Sequence, residues 1–332
     1  MTSIKTAFKI SVGDDGPTLL PTTGSSGERF SVRQTSAIWF EGGYYLYADI
    51  VPWDNPHHPD TYDTSIHLFT SDNAESWRYE GEIISKNDGG DWTTAGVATP
   101  GACVFGGRVY VAYSVRGKPD GSGHRFLGIS EAEDPRGTFR ELPQLRVIPE
   151  DVDYSRERTF LLLDDPQLVA CNADGTGPGD ERLDLYYRRS LNDFSGRDRG
   201  GRAQALEYDI RTSYVVDFDA GVWSQPHPVV KALPGGVVET VDARWMEGRL
   251  VMIVLGYDNG EMGVYLSEDS RVFVPADPPL LESYLDIFMD AACFRLPGFI
   301  PDADGRVRHM TTPGDIDDDG HYTQWVFNIT CQ

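Results

Sequence analysis

Helical periodicity is nearly absent from this 332-residue chain, and one pattern recurs five times in its place. The pattern is a short apolar run, a glycine-containing turn and an alternating, aromatic-rich run, which reads as an antiparallel hairpin. Hairpin-plus-strand units spaced by roughly 50–75 residues are the mark of a β-propeller. The predicted fold class is therefore all-β: a five-bladed β-propeller whose ring is closed by pairing of N- and C-terminal strands. The units leave no room for a further domain, so residues 1–332 are expected to form one.

The first copy is Thr35-Ser-Ala-Ile-Trp-Phe-Glu-Gly-Gly-Tyr-Tyr-Leu-Tyr47, followed by a third strand in Ile66–Trp77. The second is Thr99–Tyr113, with its third strand in Phe126–Phe139. The third spans Phe160–Tyr187, where an apolar run meets Asp164-Asp165-Pro166 and a Gly/Asp-rich loop leads to Leu-Asp-Leu-Tyr-Tyr. The fourth is Glu239–Ile253 followed by Gly263–Phe273, and the fifth, more divergent, runs from Met289 to Met310. These copies imply blades over about 30–85, 93–145, 159–230, 236–280 and 286–332, with Thr6–Val12 and His321–Ile329 sharing one blade and removing the exposed edges.

A hydrophobic content of 40% with 24% charged residues is that of a globular chain with a full core. The formal charge of −23 argues against nucleic acid or an anionic membrane as partner, since both would repel it. Met1–Ser11 lacks the apolar segment of a signal peptide and no 18-residue apolar run is present, so a cytoplasmic location is expected. Cys103, Cys171, Cys293 and Cys331 show no CxxC spacing and no paired histidine, which reads as buried free thiols.

In a propeller the first strand of each blade lines the central channel. Gln34, Thr99, Asp165, Glu239 and Asp290, each at the start of such a strand, then become neighbours despite their distance in sequence. Carboxylates gathered in one funnel are costly to bury and are rarely incidental. Each also has a plainer role as a strand-end cap.

The Gly-Gly-Tyr-Tyr-Leu-Tyr hairpin, the Thr-Ser-Asp-(x)4-Trp turn ending at Trp77 and the Ser-(x)3-Asp-Pro-Arg-Gly-Thr-Phe turn ending at Phe139 carry a resemblance. In order and spacing they resemble the five-bladed propeller glycoside hydrolases of families 43, 62 and 117, and more distantly the fructosidases of families 32 and 68. The resemblance implies hydrolysis of a glycosidic bond in an oligo- or polysaccharide, with inversion. In family 43 an Asp opening the first blade is the general base, an Asp opening the third tunes the acid, and a Glu opening the fourth is the acid. The third position matches Asp165 and the fourth Glu239, but the first-blade Asp-Pro-Ser is replaced by Arg33-Gln34-Thr35-Ser36. Gln34 can orient a water but cannot take its proton. Three explanations stand: Asp290 or Asp242 supplies the base, a related family places its base elsewhere, or the protein binds sugar without cleaving it. The chemistry of the acid is simple, because a leaving oxygen needs a proton and a neighbouring carboxylate keeps that proton on the Glu by like-charge repulsion.

Further candidate contacts to a sugar are Trp53 and His57 in the loop Trp53–Pro59, Trp92 after Asp88-Gly-Gly-Asp, and Tyr284, Asp286 and Phe288 in the fifth unit. Arg158 precedes the Asp164-Asp165 strand and is placed to neutralise one carboxylate, or to make a surface ion pair. Asp315-Ile-Asp-Asp-Asp-Gly320 fits the first half of a calcium loop, yet Val326 stands where the loop's Glu belongs, so a tight acidic hairpin is the reading. No cofactor is required and no metal is assigned, a structural Ca2+ being the only ion in view. Ser71–Trp77 also looks like a worn sialidase Asp-box, but sialidases use six blades, an arginine trio and a Tyr nucleophile.

Overall fold

The computed structural model describes residues 10–13, 16–54, 64–86, 88, 92–93, 96–116, 124–150, 159–193, 204–231, 238–256, 262–276, 298–315 and 321–331. Those residues contain no α-helix, and a 3-10 turn spans Pro143–Leu145. Alternating apolar residues separated by Gly-containing turns form antiparallel hairpins, as the pattern predicts. The first group is β3 (Phe30–Phe40), β4 (Gly43–Pro52), β5 (Ser65–Ser71) and β6 (Arg78–Ile84), paired in that order after the short strands β1 (Ile10–Val12) and β2 (Thr18–Leu19). The second is β7 (Val97–Phe105), β8 (Arg108–Arg116), β9 (Arg125–Ala132) and β10 (Arg140–Glu141). The third is β11 (Thr159–Cys171), β12 (Arg182–Asp193) and β13 (Gln204–Asp217), edged by β14 (Val222–Trp223) and β15 (His227–Lys231). The fourth is β16 (Val238–Met246), β17 (Arg249–Gly256), β18 (Met262–Ser267) and β19 (Val274–Pro275), and the last is β20 (Gly298–Pro301), β21 (Val307–Asp315) and β22 (Tyr322–Cys331).

The two-residue turns explain the sharp hairpins. Glu41-Gly42, Gly106-Gly107 and Glu247-Gly248 all have positive φ at both positions, as a type I′ turn requires, and each joins the first two strands of its group.

Each sheet buries its faces against the next. One apolar cluster joins Ile38, Tyr47 and Ile66 to Val97, Val111 and Tyr113. Another joins Ala112, Phe126 and Ile129 to Leu163, Leu168 and Leu185. A third joins Val169 and Tyr186 to Ala243 and Met252, and a fourth joins Val251 and Ile253 to Phe299, Met310 and Phe327. A fifth joins Ile300 and Val326 of the last group to Phe30, Leu46 and Phe69 of the first. The N-terminal strand β1 pairs with β22, Ile10 opposite Cys331 and Val12 opposite Ile329. This pairing uses the C-terminal end of the stretch expected to meet it, and residues 1–9 lie outside the described residues.

Pairing between groups was not foreseen. Leu162 of β11 bridges Arg125 of β9 in parallel, fusing the second and third groups into one nine-stranded sheet. Cys103, Cys171 and Cys331 are free thiols, the first two buried, while Cys293 lies outside the described residues. Burial pushes the Cys171 thiol up to about 12, so it stays protonated and unreactive.

Candidate active site

One irregularity recurs within the first strands of four of the groups, and Gln34, Thr99 and Asp165, expected at strand starts, lie at it inside their strands. The register of β3 on β4 shifts between Val32 and Thr35, β7 on β8 between Ala98 and Gly101, β11 on β12 between Asp164 and Gln167, and β16 on β17 between Glu239 and Val241. A bulge inserts one unpaired residue and re-aims the side chains beside it. Two of the bulges hold strained backbone: Thr99 has φ 54° and Asp165 has φ 52°, each just before a proline. That region is unfavourable for a side-chain-bearing residue and more so before proline, a cost of order 1–3 kcal/mol at each site. Such strain persists only where surrounding contacts over-determine it.

Those contacts converge on the two aspartates, which are 2% and 5% exposed. Asp164 Oδ1 accepts from Ser114 Oγ at 2.5 Å and from Thr99 Oγ1 at 3.0 Å. Its Oδ2 accepts from the Arg125 guanidinium and, at 3.0 Å, from Arg188 Nη2. Asp165 Oδ1 accepts from Gln34 Nε2 at 2.5 Å, and its Oδ2 lies 3.3 Å from Arg188 Nε. Two carboxylates and two guanidiniums thus balance in a buried cluster, the condition under which buried charge is tolerated. The register explains the arginines: Arg188 stands opposite Asp164, and the parallel bridge brings Arg125 alongside β11.

A buried polar layer joins β3, β7, β11 and β16. Arg244 donates from Nη1 to the Ala102 carbonyl at 2.9 Å, and from Nη2 to Ser36 Oγ at 2.9 Å and the Ala37 carbonyl at 3.1 Å. Ser36 Oγ also accepts from the Ala102 amide at 2.9 Å and donates to Gln167 Oε1 at 3.3 Å. Asp242 pairs with Arg244 at 3.3 Å and accepts the Phe299 amide at 2.5 Å. Burial pushes the Asp242 carboxyl above its ordinary value, outweighing Arg244 and the amides.

The predicted residues are thereby sorted. Gln34, Thr99, Asp164 and Asp165 come together. Thr99 does not face a ligand through its hydroxyl but spends it on Asp164 and Ser114, and Gln34 spends its amide on Asp165 rather than on a water. Asp242, expected at the site as a sugar contact or stand-in base, lies in the Arg244 layer, with Oδ2 on the Phe299 amide and Oδ1 3.3 Å from Arg244 Nε without a hydrogen bond. Trp53 has Arg29 3.4 Å over its ring and His321 stacked at 3.6 Å. Trp92 likewise packs on Phe126 and under Arg146, 4.6 Å from the ring centre. Glu239 opens β16 at the residue before its bulge, the register position Asp164 holds in β11, and its side chain lies outside the described part. His57, Arg158, Asp290, Tyr284, Asp286, Phe288 and residues 316–320 lie outside the described residues. Among those described, no three His, Cys, Asp or Glu side chains are grouped to hold a metal, and no helix is long and apolar enough to cross a membrane.

Sequence reading missed Ser114, Arg125 and Arg188, which sit on second and third strands. It also missed Asp49, wholly buried on β4 opposite the first bulge, where it accepts the Gln34 amide at 2.6 Å and faces Arg33 at 3.9 Å. The available signal was a charged residue inside an otherwise apolar alternating run. A cavity of about 200 Å³ lined by Thr18, Glu75, His309 and Asn328 shares no residue with this cluster.

No protein-family model matches the sequence, and no curated protein does. The fold, in contrast, is similar to solved structures over nearly the whole chain. A family 117 glycoside hydrolase of the marine bacterium Zobellia galactanivorans superposes with a TM-score of 0.64 at 17% identity, over 97% of this chain and 90% of that one. A thermostable family 43 glycoside hydrolase gives 0.65 at 15% identity, over 95% and 92%. The endo-arabinase of Bacteroides thetaiotaomicron gives 0.60 at 15% identity, over 95% and 98%.

Proposed function

We propose that a chain with the fold of family 117 and family 43 glycoside hydrolases, and with paired aspartates at the centre of that fold, is itself a glycosidase. The architecture we infer is one domain forming a five-bladed propeller. The β1–β22 pairing and the apolar cluster between the last and first strand groups support a closed ring. The bulges of β3, β7, β11 and β16 then face one channel. The substrate is a glycoside in an oligo- or polysaccharide, hydrolysed with inversion. Glu239 is the acid that protonates the leaving oxygen, and Asp165 is the ionised neighbour that keeps the proton on it. The base is a third carboxylate about 6.5–9.5 Å from the acid, and Asp290 is assigned that role. The observation that carries the reading is the strained Asp165 held by Gln34 and Arg188 at the bulge in the middle of β11.

A second reading has its own observation. Gln34 stands where the family places its base and donates its amide to Asp165, so this position offers a donor and no base. That favours a propeller that binds sugar without cleaving it. A screen of aryl and natural arabinosides, xylosides and galactosides separates the two. Turnover by the wild type, falling by about 10²-fold or more in Glu239→Gln and in Asp165→Asn, is the expected result. Turnover that survives both substitutions sinks the assignment, and sugar binding with no turnover selects the second reading.

A further inference from the structure

Asp164 and Asp165 are consecutive in the chain, yet both side chains are buried in one cluster. Consecutive residues of a regular strand point to opposite faces, so this convergence needs the bulge, and the φ of 52° at Asp165 supplies it. Two carboxylates so close repel each other, and without a cation one of them would take up a proton. The cations described around the pair are Arg125 from β9 and Arg188 from β12. Arg125 reaches Asp164, whereas Arg188 reaches both, through Nη2 to Asp164 Oδ2 and through Nε to Asp165 Oδ2. The contact to Asp164 is a hydrogen bond and the contact to Asp165 an ion pair at 3.3 Å, so one planar cation is shared between the two carboxylates. Gln34 holds the other oxygen of Asp165 from β3. Asp164 has donors on both oxygens from Thr99, Ser114, Arg125 and Arg188, and is taken up wholly by this framework.

We infer that Arg188 is the positioning residue of the site: it holds Asp165 as an oriented anion by bridging it to the anchored Asp164. The inference rests on the glycosidase reading and deepens it, since it names what keeps the tuning carboxylate charged. Arg188 itself donates no proton and touches no substrate. Its charge and its shape have separable consequences. Loss of the charge favours protonation of Asp165, which removes the repulsion that keeps the proton on Glu239, so the alkaline limb of the pH–rate profile moves to lower pH. Loss of the planar shape with the charge kept misplaces Asp165 without moving the limbs.

The test uses the full chain with Arg188→Gln and Arg188→Lys, each checked for native near-ultraviolet circular dichroism. In Arg188→Gln the alkaline limb of kcat/KM is expected to move down by about one pH unit or more. In the same variant kcat is expected to fall by about tenfold or more while KM changes by less than about threefold. In Arg188→Lys the limbs stay at their wild-type positions while kcat remains depressed. An alkaline limb that does not move down in Arg188→Gln, or a loss confined to KM, overturns the inference. Should the wild type turn over no glycoside, the glycosidase reading fails on its own, and a thermal double-mutant cycle still decides the role of Arg188. Non-additive melting shifts of Arg188→Gln with both Asp164→Asn and Asp165→Asn support the bridge, and additivity with Asp165→Asn overturns it.

Discussion

A side chain at φ 52° before a proline is held against its own preference, and at Asp165 the restraint comes from Gln34 on one oxygen and Arg188 on the other. The residue scale is where burial decides charge. His67 shows this away from the site, where it bonds Tyr79 Oη at 2.8 Å and burial lowers its pKa from 6.5 to about 4. The unfolded chain therefore binds a proton below pH 6.5 that the folded chain refuses until about pH 4. Stability contributed by neutral His67 is complete above 6.5 and is lost as pH falls through that window, by up to about 3 kcal/mol. Urea unfolding from pH 7 to pH 4 is expected to show this loss, and His67→Gln, which can keep a bond to Tyr79, is expected to flatten it. Residues of this kind were only partly legible in the sequence. That Gln34, Thr99 and Asp165 sit on first strands was legible because hairpins can be placed from pattern, whereas their position inside those strands at bulges was not. Nor was Arg188, since Tyr-Tyr-Arg-Arg puts two arginines, both buried, on opposite faces and only the register opposite Asp164 says which one meets it.

Elements meet more closely here than their periodicity could show. A Cβ added at Gly101 of β7 would lie 1.8 Å from the Pro166 carbonyl oxygen of β11, so the second and third inner strands touch backbone to backbone at their bulges. Gly101→Ala is therefore expected to cost about 1–3 kcal/mol, since backbone and not a flexible side chain must yield. Denaturant midpoints measure that loss, and an unchanged midpoint would show that the strands can part freely. The hairpins themselves were legible, because alternation and two-residue glycine turns act within about 15 residues of chain. The bulges were not, since one extra residue leaves the local composition unchanged. The parallel bridge from Leu162 to Arg125 was hidden for another reason: contacts between successive units carry no sequence period.

Across the whole molecule, the buried layer around Arg244 ties strands far apart in sequence. Arg244 reaches β3 and β7 and pairs with Asp242, which in turn takes the amide of Phe299 on β20. Removing the cation leaves Asp242 buried beside no partner of opposite charge in that layer, and Arg244→Met is expected to cost about 3–5 kcal/mol at neutral pH. The penalty should shrink in acid. Burial holds the Asp242 carboxyl above its ordinary 3.8, so it takes up a proton readily as pH falls and then needs no cation. Calorimetry of the variant at pH 7 and pH 4 checks both parts, and an equal loss at the two values would place the damage elsewhere. The pairing of β1 with β22 has a consequence of another kind. Synthesis adds roughly 5–20 residues per second, and Ile10–Val12 finds its partner only when Ile329–Cys331 has been made. For tens of seconds the growing chain carries a strand with nothing to pair with, and the last sheet waits for the final residues of β22. A chain halted short of Tyr322 would lack the strand that β1, β2 and β21 pair with, a substrate for chaperones or proteases rather than a smaller version of the protein.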